Sequence, residues 1–427
     1  MKQILIIGSG GREHALARAF AQSPAVSQVY VAPGNPGMLA DNQTLTLHAP
    51  IETVDITVDD IQTLVSFALD KAIDISFVGP EVPLEMGIVD QFKRHNLAIV
   101  GPSKVAAQLE NSKQFAKDVM AQAGVQTAAH QFFDSHDFVQ ALDYAKQLQL
   151  PFVIKADGLM SGKGVVIPKT MTEAEDVLED FMVKKGLPLL IEEFLVGNEF
   201  SHFSLINEDQ VITLGTACDY KPVGDGDQGA NTGGMGSFAP VQWMTPSINQ
   251  QIIDEIVQPV ADQMVKNGTP FTGVLYTGLI WTAKGPKVIE FNTRLGDPET
   301  QVVLPLLETD FLDIVEAYLN KTPIDIQNKT GVQLGVVLAA AGYPKDYIKG
   351  MKLDLNSIDA NRVLYAGVTQ DAQNQLLANG GRILMVTGHG EDIESARTDV
   401  YGQMHALDIA DTFYRNDIGY LRERSDV

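Results

Sequence analysis

The chain has 427 residues, 45% of them apolar and 20% charged. That is the composition of an ordered globular protein of ~2–4 domains and excludes wholesale disorder. Its 31 Lys and Arg against 54 Asp and Glu leave a formal charge of −23, which excludes nucleic-acid backbone and anionic membrane as main partners but not a small anion in a cleft of opposite local field. The single cysteine, Cys218, excludes an internal disulfide and a multi-cysteine zinc site. The apolar start of MKQILIIGSGGREH is too short for a signal-peptide core. Apolar runs such as Val332–Ala341 fall well short of the ~20 residues that cross a bilayer, so the cytoplasm is the expected location.

In chain order, Ile4–Ile7, Val29–Ala32, Ile75–Val78 and Ala98–Val100 read as strands, each ending in a glycine or proline turn. Helical patterns lie between them at Glu13–Gln22, Asp60–Ala72 and Ile88–His95. This alternation predicts an open parallel sheet with its ligand crevice at the carboxyl ends of the strands. A second unit begins near Ser103 with a helix over Val105–Ala123, stopped by Gly124. Strands at Val125–His130 and Pro151–Lys155 flank a helix at Asp137–Leu148, and Leu189–Phe194 is a further strand. A long glycine-rich loop is expected at Asp225–Gly236, and a helix at Phe311–Leu319 closes the unit. A last unit carries strands at Gln333–Ala340, Arg362–Val368 and Arg382–Thr387 and a helix at Ile393–Ala406.

Gly8, Gly10 and Gly11 follow a strand and open a helix, where backbone N–H groups can meet a phosphate. A dinucleotide fingerprint needs a third glycine where Glu13 stands, and the second strand ends in Ala32-Pro33-Gly34 without a carboxylate for a ribose. A nicotinamide cofactor is therefore disfavoured. A tight turn without ligand explains these glycines as well, and Arg12 suits either reading. Lys155 ends the apolar strand Phe152-Val153-Ile154 and precedes the loop Asp157–Gly164. Such a loop lets N–H groups and a lysine reach outer phosphates, and a lysine at the inner end of an apolar strand needs an anionic partner. An ordinary hairpin is the competing reading. Glu290 and Asn292 lie at i and i+2 of Val288–Asn292, hence on one face of a strand. A carboxylate beside an amide oxygen suits Mg²⁺. Arg294 continues that face, and Asp297-Pro298-Glu299 turn away from it. Cys218 reads as a small buried residue, His14 as a helix residue, and no nucleophile–histidine pairing is legible.

Together these pieces resemble the ATP-grasp enzymes, and most closely the phosphoribosylamine–glycine ligase (glycinamide ribonucleotide synthetase) family. The resemblance runs from GSGGREHALA through VAPGNPG, VGPEVPL, VIKADGLMSGKGV, IEEFLVGNE, NTGGMGSFAP and EFNTRLGDPETQ to RNDIGY. It implies an α/β chain with an N-terminal open parallel sheet domain over residues 1–102, an ATP-grasp domain over 103–325 with a mobile lid at about 125–190, and a small C-terminal α+β domain over 330–427. It further implies ATP contacts from Lys113, Lys155, Gly158, Ser161, Gly162, Lys163 and Gly164. The adenine hinge would be Glu192, Glu193, Phe194 and Leu195, and Glu199 would take the ribose. Glu290 and Asn292 would hold Mg²⁺ or Mn²⁺, and Arg294 with Lys155 would act on the transferred phosphate. The substrates would border Gly8, Gly10, Gly11, Arg12, Gly79, Pro80, Glu81, Asp219, Lys221, Asp297 and Glu299.

The implied reaction joins glycine to phosphoribosylamine through glycyl phosphate, in a monomer whose partners are these small molecules alone. The chain departs from the family pattern at Pro222, Gln228 and Ala230, where arginine, threonine and proline are usual; this alters one cationic contact and leaves the ATP and metal positions intact. Another ATP-grasp ligase, a nicotinamide oxidoreductase and a non-catalytic nucleotide sensor are the alternatives, in that order.

Overall fold

The computed structural model describes residues 1–158 and 164–420. The chain opens with five parallel strands in the order Ile51–Thr53, Val26–Pro33, Lys2–Gly8, Ile75–Val78, Ile99–Val100. Lys2–Gly8 is central and runs nearly all buried, as a parallel strand covered on both faces must. From it the chain builds outward first to one side and then to the other. The order therefore reverses between Lys2–Gly8 and Ile75–Val78, and the carboxyl ends Gly8 and Gly79 flank the switch point. The edge strand Ile51–Thr53 had no counterpart in the sequence pattern. Asp60 caps the helix Ile61–Asp70 by accepting from Thr63 N at 3.1 Å, one residue inside the expected start.

The expected helix Val105–Ala123 is broken. Ser112 is extended (φ −128°, ψ 114°), and its hydroxyl caps a separate helix, Lys113–Ala123, by accepting from Phe115 N at 3.2 Å. A four-stranded antiparallel sheet follows, in the order His130–Phe133, Leu189–Glu193, Phe152–Ala156, Val165–Val166. The helices Phe138–Leu148 and Met171–Leu178 pack on it around Phe152, Ile154, Leu178 and Ile191, a core of its own. The first strand begins later than its apolar pattern predicts. Residues Gln126 and Thr127 are already engaged, through Val288 N donating to Gln126 O at 2.9 Å and a bridge from Thr127 to Val288.

Nine of the remaining strands join one sheet. Its path runs Gly285–Asn292, Thr272–Thr282, Asn198–Asn207, Gln210–Asp219, Gly236–Ala239, Val332–Ala340, Arg382–Gly390, Val363–Tyr365, with Thr412–Phe413 also on Val332–Ala340. The short strand Gly236–Ala239 is the link: Phe238 faces Cys218 on one side and Leu334 on the other. The last part of the chain thus extends the central sheet, with the helix Ile393–Met404 laid against it. The expected loop Asp225–Gly236 contains a hairpin, Pro222–Gly224 with Gln228–Asn231. Buried Arg415 pins it by donating to Pro222 O at 2.8 Å and Asp227 Oδ1 at 3.0 Å. Among the described residues no helix is long and apolar enough to cross a membrane.

Candidate functional site

A cavity of about 570 Å³ opens where the parallel sheet, the nine-stranded sheet and the smaller sheet meet. Among the described residues, seven cationic side chains and six carboxylates line it. In a chain with 31 cations against 54 acids, this is a local reversal of charge suited to anionic ligands.

From the switch point come Arg12, Pro80 and Glu81. Gly8 has φ +134°, and a Cβ there would fall 2.5 Å from Glu13 Cγ, so the glycine makes room for the buried Glu13. That carboxylate accepts from Gly10 N at 2.6 Å and pairs with Arg12 Nε at 2.5 Å. Glu13 thus fills the cradle that a dinucleotide would need. Gly8, Gly10, Gly11 and Gly79 support the turn and do not line the cavity; Arg12 does, with its NH1 on Leu295 O at 3.0 Å.

At the opposite wall, Lys113 and Lys117 are one helical turn apart and share a face. Lys155 comes from the strand Phe152–Ala156, diagonal to Glu192 on its neighbour. Glu192 is 3% exposed and pairs with Lys155 and, at 2.8 Å, with Lys117. Burial would raise its carboxyl, but Lys155 and Lys117 outweigh burial and hold it below the ordinary range. Burial pulls both Lys113 and Lys117 below the usual ammonium value. Lys113 Nζ donates to Gly158 O at 3.2 Å and its backbone N to Asp157 Oδ1 at 2.6 Å, tying the helix start to the glycine loop. Gly158 and Gly164 line the cavity; Ser161, Gly162 and Lys163 lie outside the described residues. Glu193 holds the strand end by accepting from Ala129 N at 3.1 Å and Lys287 Nζ at 2.9 Å. Phe194 and Leu195 follow half-buried, and Glu199 is exposed; none of these lines the cavity.

Arg294 stands between the two walls. Its guanidinium reaches Glu81 at 3.2 Å and Glu110 at 3.1 Å, bridging the parallel sheet to the helical segment. Burial works against its charge, yet Glu110 and Glu81 raise it above the ordinary value. Burial pushes the Glu110 carboxyl up, and Thr293 N donates to it at 2.8 Å. Beside Arg294, Glu290 and Asn292 share the cavity face of Gly285–Asn292. Glu290 faces Gly278, where a Cβ would stand 3.3 Å from Glu290 Cγ, so the glycine keeps this floor open. The Glu290 carboxylate has no hydrogen-bond or ion-pair partner among the described residues. Among them no group of three or more His, Cys, Asp or Glu could enclose a metal alone. One carboxylate and one amide oxygen fit a hard cation that keeps most of its octahedron for water and phosphate.

The third wall carries Asp219, Lys221, Tyr276 and Glu299. Lys221 Nζ is 3.4 Å from Asp219, which raises the ammonium well above its usual value. Burial and the Asp219 charge push the Glu299 carboxyl up to about 7. Ser201 Oγ donates to Tyr276 OH at 2.7 Å. Arg382, from the far end of the nine-stranded sheet, donates to Gly233 O at 2.9 Å and Asp297 O at 2.6 Å. Burial would raise the Asp297 carboxyl, but Arg382 and Arg12 hold it down. Burial pushes the Cys218 thiol far up, and His14 is buried against Asp41 at 3.0 Å, away from the cavity. Lys117, Glu110, Tyr276 and Arg382 were missed in the sequence. Only Lys117 left a signal there, four residues after Lys113.

Three family models match the chain: the phosphoribosylglycinamide synthetase N domain over residues 2–110, its ATP-grasp (A) domain over 111–300 and its C domain over 333–421. The chain is 43% identical to a phosphoribosylamine–glycine ligase of Listeria monocytogenes over 98% of this chain and all of that one. It is 43% identical to one of Streptococcus suis, covering 98% and 99%. The solved phosphoribosylamine–glycine ligase of Thermotoga maritima superposes with a TM-score of 0.82 at 32% identity, covering 97% and 100%. A biotin carboxylase of Campylobacter jejuni, at 16% identity and a TM-score of 0.69 over 98% of this chain and 94% of that one, shares the fold.

Proposed function

The chain belongs to the phosphoribosylglycinamide synthetase family, and on that premise we propose how its residues divide the work of an ATP-dependent ligase of purine biosynthesis. The reaction joins glycine to 5-phospho-β-D-ribosylamine and yields the ribosylglycinamide phosphate, ADP and phosphate. A carboxylate resists attack because of its charge and resonance. Glycine's carboxylate oxygen therefore attacks the γ-phosphorus in line, ADP leaves, and glycyl phosphate forms. The ribosylamine nitrogen then attacks the acyl carbon, loses a proton, and expels phosphate.

Lys113, Lys117 and Lys155 bind the phosphates, with Glu192 pairing two of them and fixing their positions. Arg294, clamped between Glu81 and Glu110, presents fixed positive charge where the transferred group gains negative charge. A divalent cation, Mg²⁺ or Mn²⁺, held by Glu290 and Asn292 would neutralise phosphate oxygens. The backbone after Glu192, through Glu193, Phe194 and Leu195, reads the adenine edge, and Glu199 takes the ribose. Arg12, Pro80 and Glu81 face the sugar phosphate; Asp219, Lys221, Asp297 and Glu299 border glycine. The segment at about 125–190 serves as lid, and its loop Asp157–Gly164 excludes water from the acyl phosphate. Positioning supplies most of the rate, so no protein nucleophile takes part. On this reading the protein acts as a cytoplasmic monomer on these small molecules.

The observation that carries this reading is the clamped Arg294 beside the Glu290–Asn292 face. Oxygen-18 placed in the glycine carboxylate should appear in the released phosphate. Its absence there refutes the glycyl phosphate route. Glu290→Ala should abolish glycine-dependent ADP release at saturating Mg²⁺, and unchanged turnover removes the metal assignment.

A further inference from the structure

A second cavity, of about 250 Å³, lies where the helix Gly11–Ala21 meets the last part of the nine-stranded sheet. Four basic side chains line it, Arg18, Lys329, Arg362 and His389, and no Asp or Glu does among the described residues. In a chain this acidic that lining is unexpected. Arg18 is neutralised by Asp41 at 2.7 Å, and Arg362 by Asp399, so these two bring N–H donors rather than net charge. Neither the Lys329 ammonium nor the His389 ring has an acidic partner among the described residues, although the His389 backbone N donates to Asp399 Oδ2 at 3.0 Å. Lys329 Nζ donates to Pro305 O at 2.8 Å, and His389 Nε2 lies 3.0 Å from Thr330 O. Gln333 lines the same cavity at 9% exposure. Its amide has no hydrogen-bond partner among the described residues, and its polar atoms open to solvent in the cavity.

We propose that this cavity binds a phosphate group, free or on a small substituent, with Lys329 supplying charge, Arg18, Arg362 and the His389 ring supplying N–H donors, and the Gln333 amide completing the contacts. Its volume is below the roughly 300–1,000 Å³ of drug-sized pockets, so an intact nucleotide is too large. The helix Gly11–Ala21 couples the two cavities, since Arg12 lines the catalytic one and Arg18 this one. Occupancy here therefore shifts affinity at the Arg12 wall.

The test is isothermal titration of inorganic phosphate into the full-length protein with Mg²⁺, a nonhydrolysable ATP analogue and the ribosylglycinamide phosphate product together filling the catalytic cavity. Expected is one site, weakened at least tenfold in Lys329→Ala and at least threefold in Gln333→Leu. The latter should melt no lower than wild type, because its amide has no protein partner to lose. No phosphate binding, or binding unchanged in both variants, overturns the site. Acetate binding as tightly as phosphate overturns the ligand class. In steady-state assays phosphate should shift the KM for ribosylamine in wild type more than in Lys329→Ala; equal shifts overturn the coupling.

Discussion

Glu192→Gln tests the electrostatic plan of the phosphate wall. Glu192 is 3% exposed and serves two buried lysines, Lys155 and Lys117. Gln keeps the shape and an acceptor oxygen but removes the only carboxylate touching both ammonium groups among the described residues. Removing one partner of a buried ion pair costs about 3–5 kcal/mol. Gln retains part of the hydrogen bonding, so the expected loss is about 3 kcal/mol in urea unfolding without ligand. The same two cations then lack a counter-charge that a triphosphate can supply. A nonhydrolysable ATP analogue with Mg²⁺ should therefore stabilise the variant more than wild type. A tenfold gain in relative affinity closes the gap by about 1.4 kcal/mol at saturation. Turnover should still fall, because Lys155 loses the group that aims it. Two outcomes refute the reasoning: a loss below about 1 kcal/mol, or equal stabilisation of both proteins by the analogue.

Arg294→Lys keeps the charge but cannot span Glu81 and Glu110, so kcat/KM should fall at least about a hundredfold with the KM for ATP little changed; a loss under tenfold argues against its role in the transition state. Glu299 is raised from an ordinary 4.5 to about 7, so the folded chain holds a proton that the unfolded chain releases, and stability falls as pH rises through that window. Glu299→Gln should remove that fall and gain at least about 1 kcal/mol on wild type between pH 5 and pH 8, read by urea unfolding at both; parallel profiles refute the assignment. Arg382→Ala frees the Gly233 and Asp297 carbonyls it holds; the KM for ribosylamine or glycine should rise about tenfold, ~1.4 kcal/mol, while ATP binding by titration is unchanged.

Much of the parallel sheet was legible because each strand and turn carries its own local signal. Period, glycine and proline placed four of its five strands and the Gly8–Arg12 turn. The pleat alone put Glu290 and Asn292 on one face, and the apolar run before Lys155 marked a lysine in need of a partner. What that partner is, Glu192 shared with Lys117, depends on two strands and a helix meeting from distant parts of the chain. The break at Ser112 is a local cap that the longer apolar pattern concealed. The last strands read as a unit of their own, and the C-domain model matches there over residues 333–421, but a run of apolar residues says that a strand is buried and not against which neighbour. Four residues, Gly236–Ala239, pair on both edges and make them one sheet, which carries Arg382 to the catalytic cavity. Patterns short enough to be read in one dimension are those stabilised by backbone geometry and burial. Which charges face each other is settled only when long-range pairing closes the fold and takes them out of water.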